Sequence, residues 1–226
     1  ADDSLDGKFL ETLYNQATKF NADIVNSGFY FCFLNTNKTK KCGKLPENGC
    51  YDRDKAMKYL LKDTKIRFYL WNKLWKKSLF TDNNISIPNM YYEDAAVCPQ
   101  LFFYAKTVVS TDYCGYYYTR AFSKHKEVNM PVQRINDYIN TVPVIRLFLE
   151  EKGCYKKFKS CFRNAFCNFS FFLFSSLFSL LRAATFWFNS SICFSIAMFR
   201  ISLLGSIIPA CCSTAWFNVS RTVGFL

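Results

Sequence analysis

The segment Tyr92-Glu93-Asp94 is the part of the chain whose residue types and spacing most directly suggest chemistry. Two adjacent acids open the apolar run 95–104, so they can occupy the first turn of a helix, where the positive end of the helix dipole keeps them ionised. An ionised aspartate that faces a cleft is a usable general base. The alternative is that Glu93 and Asp94 only cap this helix, because acids are common at helix starts.

Other motifs place this acidic pair in a wider pattern along the chain. They are Ala-Asp-Asp-Ser-Leu-Asp at residues 1–6, Ala-Asp-Ile-Val at 22–25, Trp-Asn-Lys-Leu at 71–74, and Tyr-Tyr-Tyr at 116–118. In order and spacing, these motifs and Tyr-Glu-Asp resemble the family 2 glycosyltransferases that build bacterial surface polysaccharides and lipopolysaccharides. The resemblance extends to about residue 166. It implies a GT-A-type α/β fold with a Rossmann-like, mostly parallel sheet.

The resemblance also implies roles for individual residues. Asp94 matches the family's catalytic base, and Glu93 would orient the loop or bind acceptor hydroxyls. Asp2 matches the second aspartate of the family's metal motif, with Asp3 beside it, and hard carboxylate oxygens suit Mg²⁺ or Mn²⁺ bridging two phosphates. Taken without the resemblance, Asp2 and Asp3 would be a solvated chain start.

Five further residues are candidates for substrate binding: Trp71, Asn72, Lys73, Arg120 and His125. An indole face can stack on a sugar, while Asn and Lys can bind hydroxyls or phosphate. Core packing is the competing role for Trp71. Arg120 and His125 follow the tyrosine triplet, where related enzymes often carry basic residues that neutralise a leaving diphosphate. A solvent-exposed surface role is the alternative for His125.

The family's metal motif reads Asp-x-Asp-Asp, and this chain begins one residue after the position of the first aspartate. We therefore expect an N-terminally truncated family member that lacks the nucleotide-binding strands and is inactive as an isolated chain. By resemblance, the parent enzyme would move a sugar from a nucleotide-sugar donor to a glycan or lipid-linked acceptor, with inversion.

The elements that must position these residues follow from hydrophobic spacing and turn signals. An α/β layer is favoured over a helical bundle because helices and strands alternate. We predict a helix over 7–19 capped by Asp6, a strand over 22–33, a loop or hairpin over 35–50, helices over 53–61, 68–80 and from Glu93, β segments over 107–111 and 115–119, and a helix over 131–152 broken before Pro143. The helix over 68–80 should leave Lys73, Lys76 and Lys77 facing solvent or a phosphate.

Charge divides the chain unevenly. The formal net charge is +12, yet residues 152–226 carry 8 basic residues and no acid. Nucleic acid is not expected as a partner, because these basic residues form no dense stripe and no nucleic-acid motif is present. Eleven cysteines without a Cys-x-x-Cys pair, and a single histidine, argue against zinc.

The hydrophobic, acid-free tail 167–226 forms a predicted second region after the acceptor-side domain 1–166. Its uncharged runs 164–181, 183–199 and 201–220 are borderline in length for membrane helices, and a non-native frame-shifted segment or a soluble helical extension would share these properties. With no export signal, we expect a cytoplasmic protein that can lie at the inner face of the cell membrane. The alternative function is a membrane-associated basic interaction protein without catalysis.

Overall fold

The structure is a computed structural model that describes residues 2–34, 38–42, 46–120 and 132–162. The elements are, in chain order, β1 (Ser4–Leu5), α1 (Phe9–Phe20), β2 (Ile24–Phe33), β3 (Lys38–Lys41), β4 (Gly49–Asp52), α2 (Arg53–Leu61), β5 (Lys73–Trp75), α3 (Ser78–Thr81), α4 (Glu93–Tyr104), β6 (Thr107–Arg120) and α5 (Val132–Glu151). Residues 155–162 are also helical.

The strands form one six-stranded sheet with the central order β1-β6-β2-β3. The long strands β2 and β6 pair in parallel, from Ile24 opposite Val108 to Phe33 opposite Arg120. The other pairings, β1 and β4 with β6, and β3 and β5 with β2, are antiparallel. The predicted α/β class is confirmed, with its parallel pairing at the centre of the described sheet.

Hydrophobic cores cover both faces of this sheet. Successive strand residues point to opposite faces, so Ile24 and Val108 pack against α2, α4 and α5, whereas Val25 and Val109 pack beneath α1. Leu13 of α1 is fully buried in the smaller core. Burying one such side chain contributes about 1.5–3 kcal/mol, so the sheet is held rigidly between its helices.

Several predicted elements are confirmed, and the residues at their ends explain where they begin or stop. Asn21 adopts φ 46° and ψ 48° at the end of α1, the left-handed conformation that terminates helices. Asp52 caps α2 by accepting a 2.8 Å hydrogen bond from the Lys55 amide. The predicted cap of α1 by Asp6 is wrong, because the N-cap is Lys8 and has no side-chain cap hydrogen bond. Asp6 lies two residues earlier, where its carboxylate accepts a 2.8 Å bond from the Lys8 amide.

The predicted helix over 68–80 is wrong. Residues 68–72 form bends and turns, Lys73–Trp75 is strand β5, and only Ser78–Thr81 is helical. The helical spacing of the apolar residues is also compatible with a turn followed by a strand. In the strand, Leu74 packs toward α1 while Trp75 packs on the opposite side of the sheet. Backbone pairing with β2 decides between the two.

Two smaller corrections concern β6 and α5. The two predicted β segments are one continuous strand of 14 residues, and the predicted break before Pro143 is absent because α5 runs through this residue. Proline lacks the N–H for one helical bond. Ile145 and Leu149 are nevertheless buried against the sheet's larger core, and this burial offsets the lost bond.

All described residues belong to the first of two compact units, Ala1–Phe166. Within the described ranges, no helix is long and apolar enough to cross a membrane. The tail 167–226 lies outside those ranges, so the predictions made for it stay predictions.

Candidate active site

Asp94 lies in the first turn of α4, as predicted, and is partly buried. Its Oδ1 atom accepts a 2.8 Å hydrogen bond from the Ala95 amide. Burial raises the pKa of the Asp94 carboxyl to about 6, and the neighbouring Glu93 charge adds to the rise. The carboxylate is therefore ionised at neutral pH yet basic enough to take up a proton, as a general base requires.

The residue before this acidic pair has an unusual backbone. Tyr92 adopts φ 63° and ψ 33°, a left-handed conformation that costs a non-glycine residue about 1 kcal/mol or more. Such backbone strain is concentrated at functional sites. Because this conformation is strained, contacts from the rest of the structure must hold the turn into α4 in place.

Lys73 is a buried residue that is only 7% exposed, so the prediction that it faces solvent is wrong. Its ammonium donates to the Arg67 carbonyl over 2.9 Å, to the Tyr69 carbonyl, and to Asn72 Oδ1 over 2.8 Å. Burial lowers the pKa of Lys73 to about 8, against the opposing influence of the Cys98, Asp94 and Asp63 side chains. All three N–H donors are engaged, so contact with a sugar would require giving up one of these bonds.

Asn72 is similarly held inside the protein. Its side-chain amide donates to the Ser27 carbonyl over 2.7 Å, and its main-chain carbonyl oxygen accepts from the Ser27 hydroxyl over 2.8 Å. Cys98 of α4 donates a 2.7 Å hydrogen bond to the Phe68 carbonyl. Together with Lys73, these contacts tie the loop 67–72 to β2, β5 and the helix that carries Asp94.

That loop contributes to a cluster of rings that we call the aromatic wall. It comprises Phe29, Phe31, Tyr69, Trp71, Tyr116 and Tyr118. The Trp71 ring stacks 4.8 Å from Tyr69 and 5.0 Å from Tyr118, and it also contacts Phe29 and Tyr116. Contacts with four rings support the packing alternative for Trp71.

Arg120 brings a positive charge to the edge of the aromatic wall. Its exposed guanidinium lies 5.4 Å from the Phe31 ring centre and 5.9 Å from that of Tyr118. The other basic candidate, His125, lies outside the described residues.

The carboxylates of the N-terminal segment reach the same wall from its other end. Asp3 accepts a 2.8 Å bond from the Tyr116 hydroxyl and another of 2.8 Å from the Thr119 amide. The Asp2 carbonyl accepts from the Thr119 hydroxyl over 2.5 Å, while its exposed carboxylate has no hydrogen bond within the described part of the chain. Pairing of β1 with β6 produces this arrangement.

Asp94 and Arg120 both act electrostatically on Tyr69, a member of the aromatic wall. Burial raises the pKa of the Tyr69 hydroxyl most, Asp63 and Asp94 add to the rise, and Arg67 and Arg120 oppose it. The structure therefore links Asp94, the aromatic wall and Asp3 in one region. Within the described ranges, no group of three histidine, cysteine or acidic side chains could hold a metal, so Asp2 and Asp3 offer two carboxylates only.

Sequence reasoning missed the residues that support this region. Tyr69 contacts the predicted site residue Trp71, and Arg134, Asp137 and Tyr138 on α5 contact the turn before Asp94. The spacing of the α5 residues, at i, i+3 and i+4, was the one available signal, since it places them on one helix face.

One curated protein is similar in sequence to this chain. A cholesterol galactosyltransferase of Borreliella burgdorferi is 28% identical over 76% of this chain and 49% of its own length. The predicted resemblance to glycosyltransferases is confirmed. The chain spans about half the length of this curated relative. No protein-family model matches.

Solved structures of TarS from S. aureus also resemble the chain. TarS 1–349 in complex with UDP-GlcNAc has a TM-score of 0.43 at 13% identity, covering 74% of this chain and 54% of TarS 1–349. The complex with UDP has a TM-score of 0.41 at 14% identity, with 74% and 53% covered.

Proposed function

We propose that this chain forms the acceptor-side part of a nucleotide-sugar-dependent glycosyltransferase in which Asp94 is the general base. The observation that carries the proposal is the Asp94 carboxyl, with its pKa raised to about 6 at the start of α4. The sequence similarity to a galactosyltransferase supports the reaction class. A fully solvated helix cap would lack the partial burial that raises this pKa and would not experience the charge of the buried Lys73.

The reaction would proceed by one displacement at the anomeric carbon, with inversion. The acceptor hydroxyl oxygen forms the new bond to this carbon while the bond to the diphosphate oxygen breaks, and the diphosphate departs with that electron pair. Asp94 takes the hydroxyl proton. Arg120, exposed at the edge of the aromatic wall, provides a positive charge for the departing diphosphate.

A divalent cation, Mg²⁺ or Mn²⁺, fits the donor set at Asp2 and Asp3. Mg²⁺ is commonly held by one or two carboxylates together with substrate phosphates, so two adjacent aspartates suffice. Asp2 presents an exposed carboxylate, and Asp3 is oriented by Tyr116 and Thr119. When bound, the cation would neutralise charge on the diphosphate.

The acceptor is a glycan or lipid-linked alcohol that lies against the aromatic wall. Ring faces stack on the apolar faces of sugars and equally suit a flat alcohol such as a sterol, the substrate in the name of the Borreliella relative. A lipid-linked acceptor would place the enzyme in the cytoplasm at the inner face of the membrane.

Transfer of radiolabelled sugar by the full-length gene product tests the proposal, with UDP-galactose and UDP-GlcNAc as donors and cholesterol or a glycan as acceptors. Asp94→Asn keeps the side chain's size but removes the base, so we expect the turnover rate to fall by roughly 10²–10⁴-fold. Asp82→Asn is the matched control, because Asp82 is an exposed acid whose hydrogen bond is with Thr81. Turnover of Asp94→Asn equal to that of the control would exclude Asp94 as base.

A further inference from the structure

The turn that leads into Glu93-Asp94 is held from outside. Tyr92 has φ 63° although it is not glycine, and side-chain-bearing residues rarely adopt this conformation without support. Tyr92 is the N-cap of α4, and its carbonyl accepts backbone hydrogen bonds from the Ala95 amide over 3.0 Å and the Ala96 amide over 3.3 Å. The remaining contacts of the turn, which involve the Tyr91 amide and the two tyrosine side chains, come from α5, about forty residues further along the chain.

Three residues of α5 contact this turn. Asp137 Oδ2 accepts a 2.9 Å hydrogen bond from the Tyr91 amide. Arg134 Nε donates to the Tyr92 hydroxyl over 3.2 Å, and its guanidinium lies 5.8 Å and 5.7 Å from the Tyr91 and Tyr92 ring centres. The Tyr138 ring meets the Tyr92 ring edge-on at 5.0 Å. Every contact is thus made from one face of α5.

Both helices are fixed to a common core, so these contacts can transmit a constraint. Leu149 of α5 is fully buried, as are Leu101 and Phe102 of α4, in the larger core. Phe148 also meets Phe103 edge-on at 5.5 Å. Close-packed interiors resist small displacements, so α5 provides a rigid support for the turn.

We propose that Arg134, Asp137 and Tyr138 are positioning residues that hold Tyr92 in its left-handed conformation and thereby set the Asp94 carboxylate in place. This inference rests on the proposed role of Asp94 as base. Only Glu93 separates Tyr92 from Asp94, so a change in φ at Tyr92 reorients the first turn of α4. The Asp137 bond is the most direct of the three contacts, because it holds the backbone itself.

A double-mutant cycle between Asp137 and Tyr92 tests the inference in the full-length gene product. Asp137→Ala removes the acceptor for the Tyr91 amide, and we expect the turnover rate to fall about tenfold with little change in KM, since misplacement of a catalytic group acts mainly on kcat. Tyr92→Gly allows positive φ without strain. In that background, Asp137→Ala should lower turnover by less than about threefold, because the turn no longer requires external support.

Two further variants separate positioning from general stability. Asp137→Asn retains a side-chain oxygen that can accept the Tyr91 hydrogen bond, so it should restore most of the turnover lost in Asp137→Ala. Glu150→Ala is the matched control, since it removes a carboxylate from the exposed Arg146 pair on the same helix. An equal loss from Asp137→Ala in both backgrounds, or a loss no larger than that of Glu150→Ala, would overturn the proposal.

An activity-independent measurement distinguishes failure of this inference from failure of the proposed function. The backbone amide NMR shifts of Glu93 and Asp94 should change in Asp137→Ala and remain near wild type in Asp137→Asn and Glu150→Ala. If they do so while Asp94→Asn transfers sugar normally, the support of the turn stands and the base assignment falls. If the shifts are unchanged in Asp137→Ala, the positioning role itself is wrong.

Discussion

The Tyr116 hydroxyl donates a 2.8 Å hydrogen bond to Oδ2 of Asp3 and so connects a β6 residue to the beginning of the chain. The same tyrosine ring lies 4.6 Å from the Trp71 ring. One residue therefore joins the proposed cation-binding carboxylates to the aromatic wall. A hydrogen bond to a coordinating carboxylate fixes its orientation, which is why such partners matter for metal affinity.

Tyr116→Phe should weaken the affinity of the proposed site for its cation while preserving the wall. The phenylalanine ring keeps the contact with Trp71 but leaves Asp3 with only the Thr119 amide. We expect the Mg²⁺ or Mn²⁺ concentration for half-maximal sugar transfer to rise about tenfold. Tyr117→Phe is the control, because Tyr117 stacks with Tyr30 instead. Equal metal dependence in the two variants would contradict the role given to Asp3.

Asp94→Asn should make the protein more stable at neutral pH even though it removes the proposed base. Burial raises the pKa of Asp94 from 3.8 to about 6, so the folded chain holds this proton more tightly than the unfolded chain. The resulting stabilisation is present below about pH 4 and is lost as pH rises through about 6. Above that pH the ionised carboxylate costs on the order of 1–2 kcal/mol after allowance for partial exposure.

Urea denaturation at a series of pH values measures this effect. The free energy of unfolding of Asp94→Asn should exceed that of wild type at pH 7.5, and the difference should vanish near pH 4. Asn also keeps an oxygen for the Ala95 amide, so this hydrogen bond in the first turn of α4 is preserved. Asp82→Asn should stay within about 0.5 kcal/mol of wild type at both pH values. A destabilised Asp94→Asn at pH 7.5 would show that the carboxylate serves the fold.

The start of α4 and its acidic pair could be predicted because the signals are local. Acids followed by an apolar run mark a helix start, and the bounds of α2 likewise follow from Asp52 and nearby spacing. Lys73 could not be placed in the same way. Its position depends on the pairing of β5 with β2, between residues that lie nearly fifty positions apart in the chain.

The contacts around the turn before Asp94 could not be predicted from local sequence patterns, for a different reason. Positive φ at Tyr92 leaves no trace in a tyrosine, since residue type signals this conformation mainly through glycine or asparagine. Its partner Asp137 forms a bond across 46 positions of sequence. A resemblance in motifs thus singled out Asp94 as the proposed base, while the contacts around it required tertiary structure.

Lys73→Met should lower stability and shift the pH dependence of turnover. It leaves the Arg67 and Tyr69 carbonyls and Asn72 Oδ1 without their shared donor, which we expect to cost about 2–4 kcal/mol. The Lys73 charge also lowers the pKa of Asp94, so its removal raises that pKa. Base-dependent turnover falls as pH drops through the pKa of the base, and this fall should begin at higher pH in the variant.

The pH profile of sugar transfer and urea denaturation measure the two effects of Lys73→Met separately. Lys76→Met is the matched control, because the Lys76 side chain lies nearby but is exposed and pairs with Asp23. The control should keep the wild-type pH profile. A Lys73→Met profile that coincides with the control would show that the buried charge does not act on the base.

Trp71 offers the sharpest test of whether the aromatic wall packs or binds substrate. Trp71→Ala removes contacts with Phe29, Tyr69, Tyr116 and Tyr118, and we expect the free energy of unfolding to fall by about 2–4 kcal/mol. Trp71→Phe keeps an aromatic ring and should lose only about 1 kcal/mol.

The acceptor KM of Trp71→Phe then separates the two roles. If Trp71 serves packing, as its four ring contacts favour, KM should stay within about twofold of wild type, because the wall is kept. Trp75→Phe is the control, since Trp75 packs against Phe80 and Phe102 in the larger core. A several-fold rise in KM in Trp71→Phe but not in Trp75→Phe, at unchanged stability, would instead assign the Trp71 indole to direct contact with the acceptor. Only a ring that touches the acceptor can change the affinity of the protein for it without changing the fold.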